Sequence, residues 1–178
     1  MRSIAVITAA LVCAATQLHA QSDPEPRTSD NAVYLELLGN GGPFSINYDR
    51  RMGDEVAVRI GFASWTADDL FLGDEAKTEI ITVPLTVSWL PGAPSRGVEL
   101  GGGVLLGNRK QDEPFEDGST SATFVSLTGI VGYRWQPADG GWMFRVALTP
   151  FFGLGDEDVA YPDPGFFPSA GVSVGYSF

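Results

Sequence analysis

Apolar side chains alternate with small or polar ones, at a period of two, through eight stretches of this chain. The last is the clearest: Ala170, Val172, Val174, Tyr176 and Phe178 interleave with Gly171, Ser173, Gly175 and Ser177, and the chain stops on the aromatic. A period of two is the signature of a strand with two chemically different faces. Earlier stretches repeat it. Val33, Leu35 and Leu37 oppose Tyr34 and Glu36; Phe44, Ile46 and Tyr48 oppose Ser45, Asn47, Asp49 and Arg51. Val56, Val58, Ile60 and Phe62 oppose Ala57, Arg59, Gly61 and Ala63. In 77–89, Ile81, Val83, Leu85, Val87 and Trp89 oppose Thr82, Pro84, Thr86 and Ser88, where Pro84 cannot donate to a ladder and predicts a bulge or a lost bond.

Three further runs follow. Val98, Leu100, Gly102, Val104 and Leu106 face away from Glu99, Gly101 and Gly103. Val125, Leu127, Val131, Tyr133 and Trp135 face away from Ser126, Thr128, Gly132 and Arg134. The seventh run sets Trp142, Phe144, Val146, Leu148 and Phe152 against Arg145, Ala147, Thr149 and Gly153. Eight such strands predict an all-β, eight-stranded antiparallel up-and-down barrel over 32–178, with its apolar face outward.

Loop lengths sort by parity. Connections two, four and six, at Gly53-Asp54, 91–96 and 136–141, are short, whereas connections three, five and seven, at 66–76, 108–120 and 154–166, are long. Barrels that span an outer membrane have short turns on one rim and long loops on the other. Connection one, 39–43, is the exception, being shorter than the rule predicts. Trp89, Trp135 and Trp142 fall at strand ends beside the short turns, with Tyr133, Tyr176 and Phe178 nearby, as for an interfacial girdle. The competing reading, a soluble secreted β-sandwich with these tryptophans in its core, requires bulky inner faces, and here the second face is largely Gly, Ser, Ala and Thr.

The amino terminus bears on compartment. Arg2, an apolar run from Ile4 to Ala15 and the end Gln17-Leu18-His19-Ala20 predict a secretory signal peptide over 1–20. The run is too short for a membrane-spanning helix, and Ala10-Leu11-Val12 before Cys13 fits a lipidation motif poorly. Residues 21–31, polar with two prolines, predict a disordered leader. Cleavage after Ala20 leaves 158 of the 178 residues, without cysteine, and 10 basic against 22 acidic side chains. That balance disfavours nucleic acid and anionic surfaces.

The inner face carries Glu36, Asp49, Arg51, Arg59, Glu99, Arg134 and Arg145. Four guanidinium groups and three carboxylates in a narrow lumen predict a structural ion-pair network that plugs it; the alternative is a charged constriction for a small solute or ion. Pairing depends on register and is left open. Acidic clusters at Asp68, Asp69, Asp74 and Glu75, at Asp112, Glu113, Glu116 and Asp117, and at Asp156, Glu157, Asp158 and Asp163 read as solvated loops, the spacing around Asp156-Glu-Asp158 matching no EF-hand; a divalent ion bridging them to lipopolysaccharide phosphate is the alternative. Leu70-Phe71-Leu72 reads as loop packing. The glycines of 101–103 and 39–42 precede no helix and read as bends and a turn, not phosphate cradles.

Tyr34-Leu-Glu36, Ser45-Ile-Asn-Tyr-Asp-Arg50 and the terminal Phe178 resemble the small outer-membrane β-barrel family of OmpA/OmpX type. The resemblance spans the whole mature chain through generic motifs. It implies a bacterial, Gram-negative outer-membrane location, contact with lipid and lipopolysaccharide, and recognition of Val174, Tyr176 and Phe178 by the barrel-insertion machinery. A monomer without cofactor or metal is expected. Nothing follows the last strand, so no peptidoglycan-binding domain is expected. Relatives that modify lipids use histidine; the one histidine here, His19, lies in the predicted signal peptide, so no enzymatic activity is expected. The expected role is structural or surface interaction, with a narrow channel as the alternative.

Overall fold

In the computed structural model the described residues are 27–67, 78–92, 95–112, 119–154 and 165–178. The predicted signal peptide, most of the leader, the three acidic clusters (apart from Asp112, which ends a strand) and Leu70-Phe71-Leu72 lie outside them. Ten strands form: β1 Asn31–Gly39, β2 Gly42–Met52, β3 Val56–Ala67, β4 Thr78–Trp89, β5 Arg96–Asp112, β6 Ser119–Trp135, β7 Gly141–Leu148, β8 Phe151–Leu154, β9 Gly165–Phe167 and β10 Ala170–Ser177. All pairings are antiparallel: β1 to β7 meet their neighbours in sequence, β8 meets β6 and β9, and β10 meets β7 and closes on β1 with Leu35 opposite Val174.

Ten strands make eight staves. β7 and β8 share one register against β6, Val131 opposite Leu148 and Val125 opposite Leu154, and are parted only at Thr149-Pro150. Pro150 has no N–H to donate, although its carbonyl still accepts from Gly129 N at 2.9 Å. β9 and β10 are likewise one stave interrupted at Pro168-Ser169, where Thr149 N donates to Ser169 O at 2.7 Å. The architecture is therefore the closed eight-stranded antiparallel barrel that the alternation predicts.

At Pro84 the register holds but rungs are lost: β3 pairs with β4 at Ile60–Leu85 and again at Ala63–Thr82, with Gly61 and Phe62 unmatched between. The expected cost is thus a gap in the ladder without a bulge. Connection five is shorter than 108–120, because β5 and β6 stay paired up to Asp112 opposite Ser119. Gly103 lets the backbone of β5 close against Leu85 O of β4, a place a Cβ would occupy.

The two faces separate as the alternation requires. Val33, Leu35, Ile46, Val58, Val87, Leu127, Val146, Val174 and their outward neighbours are exposed, whereas Glu36, Asp49, Arg59, Glu99, Arg134 and Arg145 are buried. A soluble sandwich would reverse this. Trp89, Trp135 and Trp142 are exposed at the short-turn rim. There Trp135 stacks on Phe144 at 5.3 Å and Trp142 meets Tyr176 edge-on at 6.4 Å.

Two features depart from the sequence reading. The inner face is not uniformly small and polar: Ile80, Leu105, Phe124 and Phe151 form a buried apolar cluster toward the long-connection end, with Trp65 against it. And the end of the leader is anchored. Thr28 N and Ser29 N donate to Ala138 O at 2.8 and 3.0 Å, and Asn31 already belongs to β1. Backbone donors beside the sixth connection find a carbonyl there.

Candidate functional site: the lumen

The staves aim their alternate residues at the axis, so charged side chains distant in sequence converge. Glu99 on β5 is the hub. It accepts from Arg59 Nη2 at 3.1 Å, from Arg134 Nη2 at 2.9 Å and Nε at 3.3 Å, from Arg145 Nε at 2.7 Å and from Ser88 Oγ at 2.7 Å. Asp49 on β2 takes both Arg134 Nη1 and Nη2 at 2.9 Å, a two-pronged pairing that fits a guanidinium to a carboxylate. Arg59 Nε stands 3.7 Å from the same carboxylate. Glu36 on β1 accepts from Arg145 Nη1, and from Ser173 Oγ at 3.3 Å. The aromatic ring of Tyr34 lies 5.3 Å under Arg59.

Six of the seven residues singled out on the inner face thus meet. Glu36, Asp49 and Glu99 balance Arg59, Arg134 and Arg145 in formal charge, so the network carries no net charge of its own. Desolvating these ions is expensive, and only near-complete mutual hydrogen bonding offsets it. The seventh residue, Arg51, sits nearer the short-turn rim, beside Arg27, Arg96, Arg134 and Gln136 around a recess.

A component that sequence reasoning missed caps the network. The first hairpin turn folds inward: Asn40 is fully buried and donates through Nδ2 to Thr128 Oγ1 at 2.6 Å. Its Oδ1 accepts from Arg59 Nη1 at 3.3 Å, and its backbone N donates to Glu36 Oε2 at 3.1 Å. Thr82 Oγ1 donates to Gly41 O at 2.6 Å. Leu38, at φ 58°, and Gly42, at φ 113°, turn the chain in and out again. Any side chain at Gly42 would strike the Trp65 ring, 2.5 Å from its Cβ position. This inward turn explains why connection one is short: it fills the lumen instead of extending beyond the rim. The signal was the Gly-Asn-Gly-Gly run itself, which supplies φ > 0 and a short amide.

From the short-turn rim the lumen passes through ions, then Asn40, then the apolar cluster of Ile80, Leu105, Phe124 and Phe151. Such a column can brace the wall.

A closed antiparallel barrel of eight staves with an apolar exterior, an aromatic rim and a polar lumen is the fold of the small outer-membrane barrels of OmpA/OmpX type. A solved structure agrees. The N-terminal β-barrel domain of Pseudomonas aeruginosa OprF superposes with a TM-score of 0.53 at 15% identity, over 85% of this chain and 100% of that one. Ail, the attachment invasion locus protein of Yersinia pestis, superposes with a TM-score of 0.45 at 14% identity, over 86% of this chain and 97% of that one. No protein-family model and no curated protein matches the chain.

Proposed function

We propose that this protein is a monomeric structural or surface-interaction protein of a Gram-negative outer membrane, delivered by a signal peptide over 1–20. Val174, Tyr176 and Phe178 are the strand that the insertion machinery reads. The rim at which β3, β5 and β8 end faces outward beside lipopolysaccharide. The lumen is a brace closed by ions, and the protein has no catalytic role. One observation carries the reading: a belt of exposed Val, Leu, Ile and Phe surrounds a centre of buried, mutually paired Arg, Asp and Glu. In water that belt exceeds any apolar patch a monomer normally exposes; in a bilayer it is matched by lipid tails. The fold shared with the OprF barrel domain supports the location.

Outer-membrane fractionation with heat-modifiable gel migration tests the location, and planar-bilayer conductance tests the plug. The reading predicts enrichment with the outer membrane, a faster-migrating unboiled band and no unitary conductance. Recovery in the soluble fraction overturns the first part, and regular single-channel steps overturn the second in favour of a narrow conduit.

A further inference from the structure

Residues 27–30 leave the barrel wall at the short-turn rim and fasten to other staves. Where they join β1, the first rung to β10's end is reciprocal: Asn31 N donates to Phe178 O at 3.0 Å, and Phe178 N to Asn31 O at 2.8 Å. One residue earlier, Asp30 O accepts from Arg51 N of β2 at 2.7 Å. Thr28 N and Ser29 N then both donate to Ala138 O, in the turn between β6 and β7. Arg27 extends the attachment, Nη2 donating to Gln136 O at 3.3 Å while Nη1 donates to Ser29 O at 2.8 Å. The segment therefore ties staves one and two to the turn that joins six and seven. Among the described residues, no backbone ladder links stave one to stave six or to that turn.

The turn is shaped to receive the segment. Gly140 has φ 96°, and a Cβ there would lie 2.7 Å from Ser29 Oγ and 3.0 Å from Ser177 O. Glycine's tolerance of positive φ and its missing side chain are both used where the segment docks. Ser29 and Ala138 are buried, although they lie at the end of the barrel. Beneath them Gln136 Oε1 accepts from Arg134 Nη1 at 3.3 Å, which continues the attachment into the charged network.

We infer that residues 27–30 are a latch on the closing seam of the barrel: the short-turn end of the β1–β10 seam parts only after this segment leaves Ala138. Every other pair of neighbouring staves is also joined by a connection of the chain, whereas β1 and β10 are not. Two strand ends that meet at a rim ordinarily fray, opening at little cost in free energy. With Thr28 and Ser29 fastened to a turn on other staves, fraying at Asn31 must break those bonds too. The latch is independent of the role proposed for the barrel and of whether the lumen conducts.

The test is amide hydrogen exchange, followed by NMR on the refolded barrel in detergent micelles, for a Ser29→Cys/Gly140→Cys variant compared oxidised and reduced. Ser29 Cβ lies 3.7 Å from the Cβ position at Gly140, a separation that a disulfide spans. Residues 21–178 contain no other cysteine, and both arms share any strain at position 140. Oxidation is expected to slow exchange at Asn31 and Phe178 about tenfold relative to the reduced form. Gly129, whose N donates to Pro150 O away from the seam, is expected to be unchanged. In the opposite direction, Thr28→Pro/Ser29→Pro removes both backbone donors to Ala138 and is expected to speed exchange at Asn31 and Phe178 about tenfold. If the proline variant gives no folded band, the oxidised and reduced comparison decides alone. Cysteines that fail to join under oxidant overturn the docking. Equal exchange at Asn31 and Phe178 in the two redox forms overturns the latch, as does a change at Gly129 as large as that at the seam.

Discussion

Arg134 and Asp49 join staves six and two, which stand opposite each other across the barrel, through two parallel hydrogen bonds of 2.9 Å. Neighbouring staves are already held by backbone ladders, so this pairing acts across the diameter, where no ladder can. Together with Glu99, it ties the walls to a common centre.

Removing one partner leaves a buried charge uncompensated. Arg134→Leu or Asp49→Leu is predicted to lower stability by about 3–5 kcal/mol, whereas the double variant recovers most of that loss, because a buried ion pair and an apolar pair differ little in net stability. Urea unfolding of the refolded barrel in vesicles, followed by tryptophan fluorescence, checks this double-mutant cycle. Additive losses in the double variant would contradict a direct pairing.

Arg59 separates bracing from conduction. It touches Glu99, Asn40 and the Tyr34 ring, so Arg59→Leu removes three anchors at once. A lowered unfolding midpoint without new conductance is the expected outcome. An unchanged midpoint with altered single-channel current would show that Arg59 lines a path.

The inward turn has its own energetic signature. Asn40→Ala deletes the side-chain bonds to Thr128 and Arg59 within a buried site, which corresponds to a loss of about 1–3 kcal/mol. The same denaturation series measures it. A turn projecting into solvent would instead tolerate alanine within about 0.5 kcal/mol.

On the outer face the prediction depends on the surroundings. Val174 is exposed near the middle of β10. Val174→Arg is expected to cost about 2–4 kcal/mol in a bilayer, while Asp54→Arg, in a turn at the rim, is expected to be nearly neutral. Vesicle unfolding compares the two directly; equal midpoints would mean that Val174 faces water.

The barrel was legible because small residues mark the inner face so consistently. Ser173 and Gly175 between Val172, Val174 and Tyr176 admit one orientation only. Legibility failed where both faces are apolar. Ile80 beside Ile81, Leu105 between Val104 and Leu106, Phe124 beside Val125 and Phe151 beside Phe152 interrupt the alternation, and so the apolar cluster was hidden. Parity counted outward from Gly103 or Ser126 recovers Leu105 and Phe124, since register carries through a strand. Pro150 was read through as strand, although it parts β7 from β8. The residues of the charged network were visible individually, but not their pairing: Arg134 reaches Asp49 across 85 positions of sequence, a relation fixed by stave number and tilt. Asn40 looked like an ordinary turn residue, and Arg27 and Gln136 lay in segments read as leader and connection.

The most direct test of the account is quenching of Trp89, Trp135 and Trp142 by brominated phospholipids in vesicles, using a Trp65→Phe variant so that only the rim reports. Rings at a bilayer interface are quenched most strongly by bromines placed near the headgroups, and are largely shielded from aqueous acrylamide. That is the predicted result. Quenching by acrylamide with indifference to every brominated lipid would place the apolar belt in water and contradict the account.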